Sequence, residues 1–230
     1  MNNKITCFLP CREGSQRIPQ KNIKPFAGYK NGLVEIKLNQ LLNCRTIDKI
    51  VLSTNDKTII EYATSLTSNK ISIHKREQSL SSSATSTDSL VQHARSLVKN
   101  GHILWTHVTS PFVNTACYDQ IIHSYLTSLE NEYDSLMTVT PFRGFLWDKS
   151  KPVNYDRSKE KWPRTQTIRP LYEVNSAAFI ASTHVYDEIN DRIGTAPYFY
   201  ELDHTVSHDI DWPEDFLLAE YIAEKGVTKI

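Results

Sequence analysis

Residues 49–63, KIVLSTNDKTIIEYA, hold a strand, a cap and the start of a helix in immediate succession. Lys49–Ser53 is a short run rich in β-branched and leucine side chains, as a buried strand requires. Asn55 or Asp56 is placed to cap a helix, and Ile59, Ile60, Tyr62 and Ala63 then recur at helical spacing. The same unit repeats on both sides. Upstream, Ile5–Pro10 reads as a strand and Leu33–Cys44 as a helix. Downstream, Lys70–His74, Thr87–Val98, His102–His107, Ala116–Leu129 and Tyr133–Val139 alternate strand and helix, and Ala177–Ala181 and Pro213–Ala223 add a strand and a closing helix. This rhythm predicts an α/β fold with a Rossmann-like, mostly parallel sheet flanked by helices.

The alternation breaks between Pro141 and Arg169, where Lys, Arg, Pro and aromatic residues follow no sustained period. Phe142, Phe145, Trp147, Tyr155 and Trp162 argue for a packed excursion over a disordered loop. The expected organisation is one α/β domain from residues 1–140 and 170–230, with 141–169 as a small insertion for dimer contact and site closure. Lysine plus arginine and aspartate plus glutamate number 26 each, so the formal net charge is zero. That balance argues against a nucleic-acid partner, which would call for a basic excess. Cys7, Cys11, Cys44 and Cys117 show no C-x-x-C spacing and read as free thiols of a reducing compartment. No apolar run approaches the length of a membrane span or a signal-peptide core, so a cytoplasmic location is expected.

After the first strand comes PCREGSQRIPQKN, residues 10–22, with Arg12, Arg17, Lys21 and a single glycine. Ligands of open α/β sheets bind beyond the carboxyl ends of strands. There a glycine lets backbone amides approach phosphate oxygens, arginine forks hold phosphate, and lysine adds a compact charge. A solvated basic loop is the plainer alternative. Neither a Walker loop nor G-x-G-x-x-G is present.

A second chemical signal lies near the other end, in HDIDWPEDF, residues 208–216. In an extended segment Asp209 and Asp211 point to one side. Two such carboxylates repel unless a cation joins them, and Mg2+ suits hard oxygen ligands and bridges carboxylate to phosphate. An exposed strand end before a helix cap would give the same D-x-D. Glu214 and Asp215 fall in the first helical turn, where acids favour the helix dipole, and are read as structural.

The 10–22 loop resembles the P-A-R-x-G-S-K-R-I-P-x-K-N signature of CMP-sialic-acid synthetases and their pseudaminic- and legionaminic-acid relatives, with Cys11 and Gln16 in place of alanine and lysine. The likeness extends to Val51–Asp56, to Arg76–Ala94 with Ser83 replacing an aspartate, and to Thr109-Ser110-Pro111. It continues through Arg164-Thr165-Gln166 and Leu171–Ala177 to the D-I-D segment. It implies a sheet of nucleotidyltransferase type, a homodimer, and CTP and an acidic sugar as substrates. It further implies catalytic roles for Arg12, Lys21 and Asp211, and nucleotide contacts from Arg12, Ser15, Arg17, Lys21, Asn22, Arg76 and Ser83. Substrate contacts would come from His107, Ser110, Arg164, Gln166 and Asn175, and Mg2+ ligands from Asp209 and Asp211. His107 and Val113 replace the family's glutamine and arginine; a hydrogen bond donated by His107 would stand in for the glutamine's contact, and a structural strand-end histidine is the plainer alternative.

The implied reaction is in-line attack of the anomeric hydroxyl of a 2-keto nonulosonic acid on the α-phosphorus of CTP, releasing pyrophosphate. Another acidic acceptor, or a CTP-binding module without turnover, would share these features. The G-S-x-R-I-P-x-K-N form of the loop disfavours an eight-carbon acid, and a nicotinamide enzyme would need the missing glycine fingerprint.

Overall fold

A computed structural model describes residues 3–82 and 84–230. Its first half follows the strand–helix alternation closely: β1 (Ile5–Cys11), α1 (Gly32–Asn43), β2 (Lys49–Thr54), α2 (Lys57–Ser65), β3 (Ile71–Lys75), α3 (Thr87–Leu97), β4 (His102–Trp105) and α4 (Thr115–Ser128). Then come β5 (Ser135–Phe142), β6 (Leu171–Ser182), α5 (Thr183–Ile189), β7 (Pro197–Glu201) and α6 (Pro213–Glu224). The caps explain where the helices begin. Asp56 accepts from the backbone of Thr58 and Ile59, Ser86 from Ser89, and Asn114 from Cys117.

The strands form one seven-stranded sheet in the order β3-β2-β1-β4-β6-β5-β7. All ladders are parallel except those of β6, which runs against both β4 and β5. The sheet is therefore mostly parallel, with one reversed strand that periodicity did not reveal. That strand is also longer than the sequence reading, Leu171–Ser182 against Ala177–Ala181. Its first residues alternate poorly because Tyr172 and Val174 are exposed. Helix α5 and strand β7, both short, escaped the sequence reading altogether.

Strand alternation divides the core in two. Cys7, Leu9, Cys11 and Leu104 face one layer, where α1, α2, α4 and α6 contribute Leu33, Ile59, Tyr118 and Phe216. Phe8, Ile103, Trp105, Met137 and Phe179 face the other, under Val91 of α3 and Val185 of α5. The chain lays β2 and β3 on one side of β1, then returns to place β4 on the other side. That reversal opens a crevice beyond the carboxyl ends of β1 and β4.

The excursion expected over 141–169 starts two residues later, because Pro141 and Phe142 still belong to β5; residues 143–170 contain no helix or extended strand, yet they pack on themselves. Phe145 makes edge contacts with Tyr155 and Trp162, at ring centroid separations of 5.2 and 5.3 Å. Trp147 Nε1 donates to the Tyr155 hydroxyl at 2.8 Å. The buried Asn154 side chain accepts from Leu146 N and donates to the carbonyl of Gly144, drawing the ends of the turn together.

Candidate active site

A cleft of about 720 Å³ occupies the switch point. It is lined from one side by the loop after β1, from the other by residues after β4, and from a third by the 209–211 segment before α6.

The loop after β1 is held from several directions. Gly14 has φ +78°, a left-handed conformation that side chains rarely adopt, and the space beside it is open. The Arg12 guanidinium turns back onto the carbonyl of Gly14 at 2.9 Å. The Asn22 side chain donates to the carbonyl of Arg12, and Asn55 at the end of β2 accepts from the backbone of Glu13. Ser15 Oγ accepts from the backbone of Ile18 at 3.4 Å. Asn22 and Ser15 thus brace the loop while also lining the cleft.

The acidic segment is anchored separately. Ile210 is fully buried, and its N–H donates to the carbonyl of Thr109 at 2.9 Å, tying the segment to the exit of β4. On either side of that anchor, Asp209 and Asp211 both line the cleft. The carboxylate of Asp215 accepts from the backbone N–H groups of Asp211 and Trp212 at 3.0 and 2.7 Å, so the helix cap also fixes the backbone of Asp211.

These two chain segments meet. Lys21, 8% exposed, directs Nζ at the carbonyl of Ile210 (2.6 Å) and at Asp211 Oδ1 (3.2 Å). Arg17 reaches the same carboxylate oxygen at 3.0 Å, and its guanidinium lies 4.9 Å from the centre of the Trp212 ring. Asp209 differs from its neighbour. Burial raises its carboxyl pKa, a hydrogen bond from Thr109 opposes that rise, and its Oδ1 is buried without a hydrogen-bond partner among the described residues. One bare buried carboxylate oxygen beside a half-exposed carboxylate suits Mg2+, which takes one or two protein carboxylates and completes its shell with phosphate and water. No group of three or more His, Cys, Asp or Glu residues able to hold a metal occurs among the described residues.

Other residues expected at the site lie differently. His107 lines the cleft, but both ring nitrogens are engaged: Nε2 accepts from the Trp105 indole N–H at 3.0 Å, so Nδ1 carries the proton and donates to the carbonyl of Ser176 at 2.9 Å. Burial pushes the ring's pKa down to about 4. The expected donor is therefore a neutral wall with no N–H left for a ligand. Ser110 is fully buried, away from the cleft surface, and its carbonyl accepts from Lys37 Nζ at 2.9 Å. Arg76 is also buried. It spans from the carbonyl of Ser53 (2.6 Å) toward that of Leu80 and does not line the cleft. Asn175 donates to Thr140 Oγ1 at 3.0 Å and borders a smaller hollow of about 290 Å³, which shares Ser176 and Asp209 with the main cleft. Arg164 and Gln166 are exposed on the 143–170 excursion, outside both cavities. Ser83 lies outside the described residues.

Sequence reasoning gave no site role to Thr87, Thr109 and Ser176, which line the cleft together with Pro10, Gln16 and Val108. It also passed over Lys37, which is fully buried on α1 and donates to the carbonyls of Ser110 and Val113 and to the Tyr118 hydroxyl. A signal for Lys37 existed: it stands four residues from both Leu33 and Leu41, inside the apolar stripe of the helix. A larger cavity, about 850 Å³, lies between residues 25–30 and the end of α6 and contains none of the expected residues.

Comparison with known proteins bears on the family and the fold. A pseudaminic acid cytidylyltransferase of Campylobacter jejuni is 26% identical over 229 residues, 95% of this chain and 96% of that protein. An N-acylneuraminate cytidylyltransferase of Streptococcus agalactiae is 26% identical over 220 residues, 93% of this chain and 52% of that longer protein. Among solved structures, a CMP:2-keto-3-deoxy-manno-octonic acid synthetase complexed with CTP superimposes with a TM-score of 0.68 at 13% identity, covering 96% of this chain and 99% of the other. A 4-diphosphocytidyl-2C-methyl-D-erythritol synthase from Anaerococcus prevotii gives 0.66 at 14% identity, covering 96% of each. These two likenesses establish the shared fold. The sequence model described as cytidylyltransferase matches residues 6–227, nearly the whole chain, and the protein belongs to that family.

Proposed function

We propose that this cytidylyltransferase moves CMP from CTP to the anomeric hydroxyl of an acidic 2-keto sugar of the nonulosonic class. The observation that carries the reading is the meeting of Arg17 and Lys21 with Asp211 in a cleft at the sheet's switch point. Pseudaminic acid and N-acylneuraminate cytidylyltransferases, similar over nearly the whole length of this chain, supply the acceptor class.

In this reading Arg12, Arg17 and Lys21 hold the triphosphate, with Ser15 and Asn22 keeping the loop in place. Asp209 and Asp211 would hold Mg2+, which when bound neutralises phosphoryl oxygens and the pyrophosphate leaving group. The sugar hydroxyl attacks the α-phosphorus in line. A new P–O bond forms, the bond to the β-phosphate oxygen breaks, and the hydroxyl proton passes to solvent. Fixed charges around the phosphoryl group and correct placement of the two substrates supply the acceleration. His107, whose ring nitrogens are both engaged, forms a wall of the cleft and not its base.

The 143–170 excursion, with Trp147 and Trp162 exposed, is proposed as the contact between two copies and as the cover of the acceptor end. No helix among the described residues is long and apolar enough to cross a membrane. The free cysteines fit the reducing cytoplasm, where CTP is available. The reading is tested by measuring pyrophosphate release from CTP and Mg2+ with a panel of nine-carbon and eight-carbon 2-keto acids. Release with a nine-carbon acid is expected, and none with any acid would end the proposal.

A further inference from the structure

One oxygen of Asp211 carries two cations. Its Oδ1 accepts from Arg17 at 3.0 Å and from Lys21 Nζ at 3.2 Å. The proposed function also gives this carboxylate to Mg2+. A carboxylate turned to a divalent ion gives up part of its hold on neighbouring cations, which the ion repels. Arg17 and Lys21 each need a second hold to stay aimed into the cleft they line.

The residues flanking Asp211 supply one hold each. On one side the carbonyl of Ile210 accepts from Lys21 Nζ at 2.6 Å. On the other, the Arg17 guanidinium lies over the Trp212 ring, 4.9 Å from its centre. Neither hold uses the Asp211 carboxylate. The attraction of a guanidinium to an aromatic face also consumes none of its N–H donors, which are left for phosphate oxygens.

The surroundings of Trp212 favour this role over packing. Its ring is 56% exposed and belongs to neither apolar layer of the core. Trp105, by contrast, is 1% exposed and packs edge-on against Phe8. The backbone of Trp212 is nonetheless firmly placed. Its N–H donates to Asp215 Oδ2 at 2.7 Å, and its carbonyl accepts from the N–H of Phe216 at 3.2 Å. The same Asp215 oxygen takes the N–H of Asp211, so one helix cap presents the carboxylate and the ring together.

We propose that Trp212 is a positioning residue whose ring keeps Arg17 directed at the triphosphate while Asp211 serves the metal. The assignment rests on the reading of this cleft as the CTP site. It is tested on the full chain by NMR titration with CTP and Mg2+, which follows even weak binding. Wild type is compared with Trp212→Leu, Trp212→Phe, Arg17→Gln and the Arg17→Gln/Trp212→Leu double variant. Trp212→Leu is expected to weaken CTP binding by about 2- to 5-fold, the size of a half-exposed cation–aromatic contact, and Trp212→Phe to retain most of the affinity. In the Arg17→Gln background Trp212→Leu should cost nothing further, because the group it holds is gone. An equal loss in both backgrounds would make Trp212 merely structural and overturn the assignment, as would unchanged affinity in Trp212→Leu. Either result leaves the cytidylyltransferase reading intact. Wild-type protein that binds no CTP, or Arg17→Gln that binds it equally well, overturns the assignment together with the phosphate role of the loop.

Discussion

Lys21 and Asp211 lie 190 residues apart in the chain, yet Lys21 Nζ sits 3.2 Å from Asp211 Oδ1 and 2.6 Å from the backbone carbonyl just before it. The lysine is buried and the carboxylate half-exposed, so the pair presents one guarded and one open charge to the cleft. Phosphate oxygens entering there compete with Asp211 for Lys21 and Arg17.

Asp211→Asn keeps the shape and removes the charge. A fall of roughly 10²–10³ in kcat is expected from losing one aligned electrostatic partner. Because the carboxylate is half-exposed, its ion pairs contribute only about 0–1 kcal/mol to folding, and the melting temperature should move little. Turnover at the wild-type rate would remove Asp211 from the chemistry.

Asp215→Ala tests whether the α6 cap also serves the site. Its carboxylate accepts from the backbone N–H of both Asp211 and Trp212. Chemical denaturation should show a loss of about 1 kcal/mol, as for other N-terminal cap deletions. Turnover should fall as well, because the backbone carrying Asp211 is released. A stability loss with kcat unchanged would confine Asp215 to capping.

Much of this was legible in the sequence, and the reasons are local. Lys49–Ser53 and Asp56 announced β2 and the α2 cap because burial on both sheet faces and capping leave strong periodic and chemical marks. The two charged segments were visible because like charges cluster in each, cations in one and carboxylates in the other, without an obvious packing role. The reversed direction of β6 was not visible, since strand polarity depends on where the 143–170 excursion returns the chain. The fates of Ser110, Arg76 and His107 were equally hidden. Each depends on partners far away in sequence: Lys37 for Ser110, Ser53 for Arg76, and Ser176 beside the nearby Trp105 for His107.

Lys37 should carry a measurable pH signature. Burial lowers its pKa to about 7, while an unfolded lysine titrates near 10.4. As pH falls from about 10 to about 7, the unfolded chain binds a proton that the folded chain refuses, so the Lys37 contribution to stability declines across that window and levels off below it. Lys37→Met should cost about 2–5 kcal/mol at alkaline pH by leaving buried carbonyls unpaired, and less at pH 7. Urea unfolding of both proteins at several pH values checks this; a difference independent of pH would contradict it.

On the acid side the most strongly shifted histidines are His93 and His107, and burial lowers His102 as well. The first two have pKa values pushed down to about 4, chiefly by burial, and His93 Nε2 is hydrogen-bonded to Ser53 Oγ at 2.9 Å. Between about pH 6.5 and 4 the unfolded chain gains protons that the folded chain does not, so each depressed histidine lowers stability by up to about 1.4 kcal/mol per pH unit. Asp209, with its raised pKa, works in the opposite sense. Unfolding followed from pH 7.5 to 4.5 should show a steady loss of stability that is shallower in His93→Gln. An equal slope in the variant would exclude His93 as a source.

All of the site chemistry rests on CTP lying between the 10–22 loop and the 209–211 segment. A crystal structure with CTP and Mn2+ in place of Mg2+ tests this through the anomalous signal of manganese. The metal should lie against Asp209 and Asp211 and touch the triphosphate, with Arg12, Arg17 and Lys21 on phosphate oxygens. CTP bound in the larger cavity between residues 25–30 and the end of α6, with no metal at the two aspartates, would contradict it.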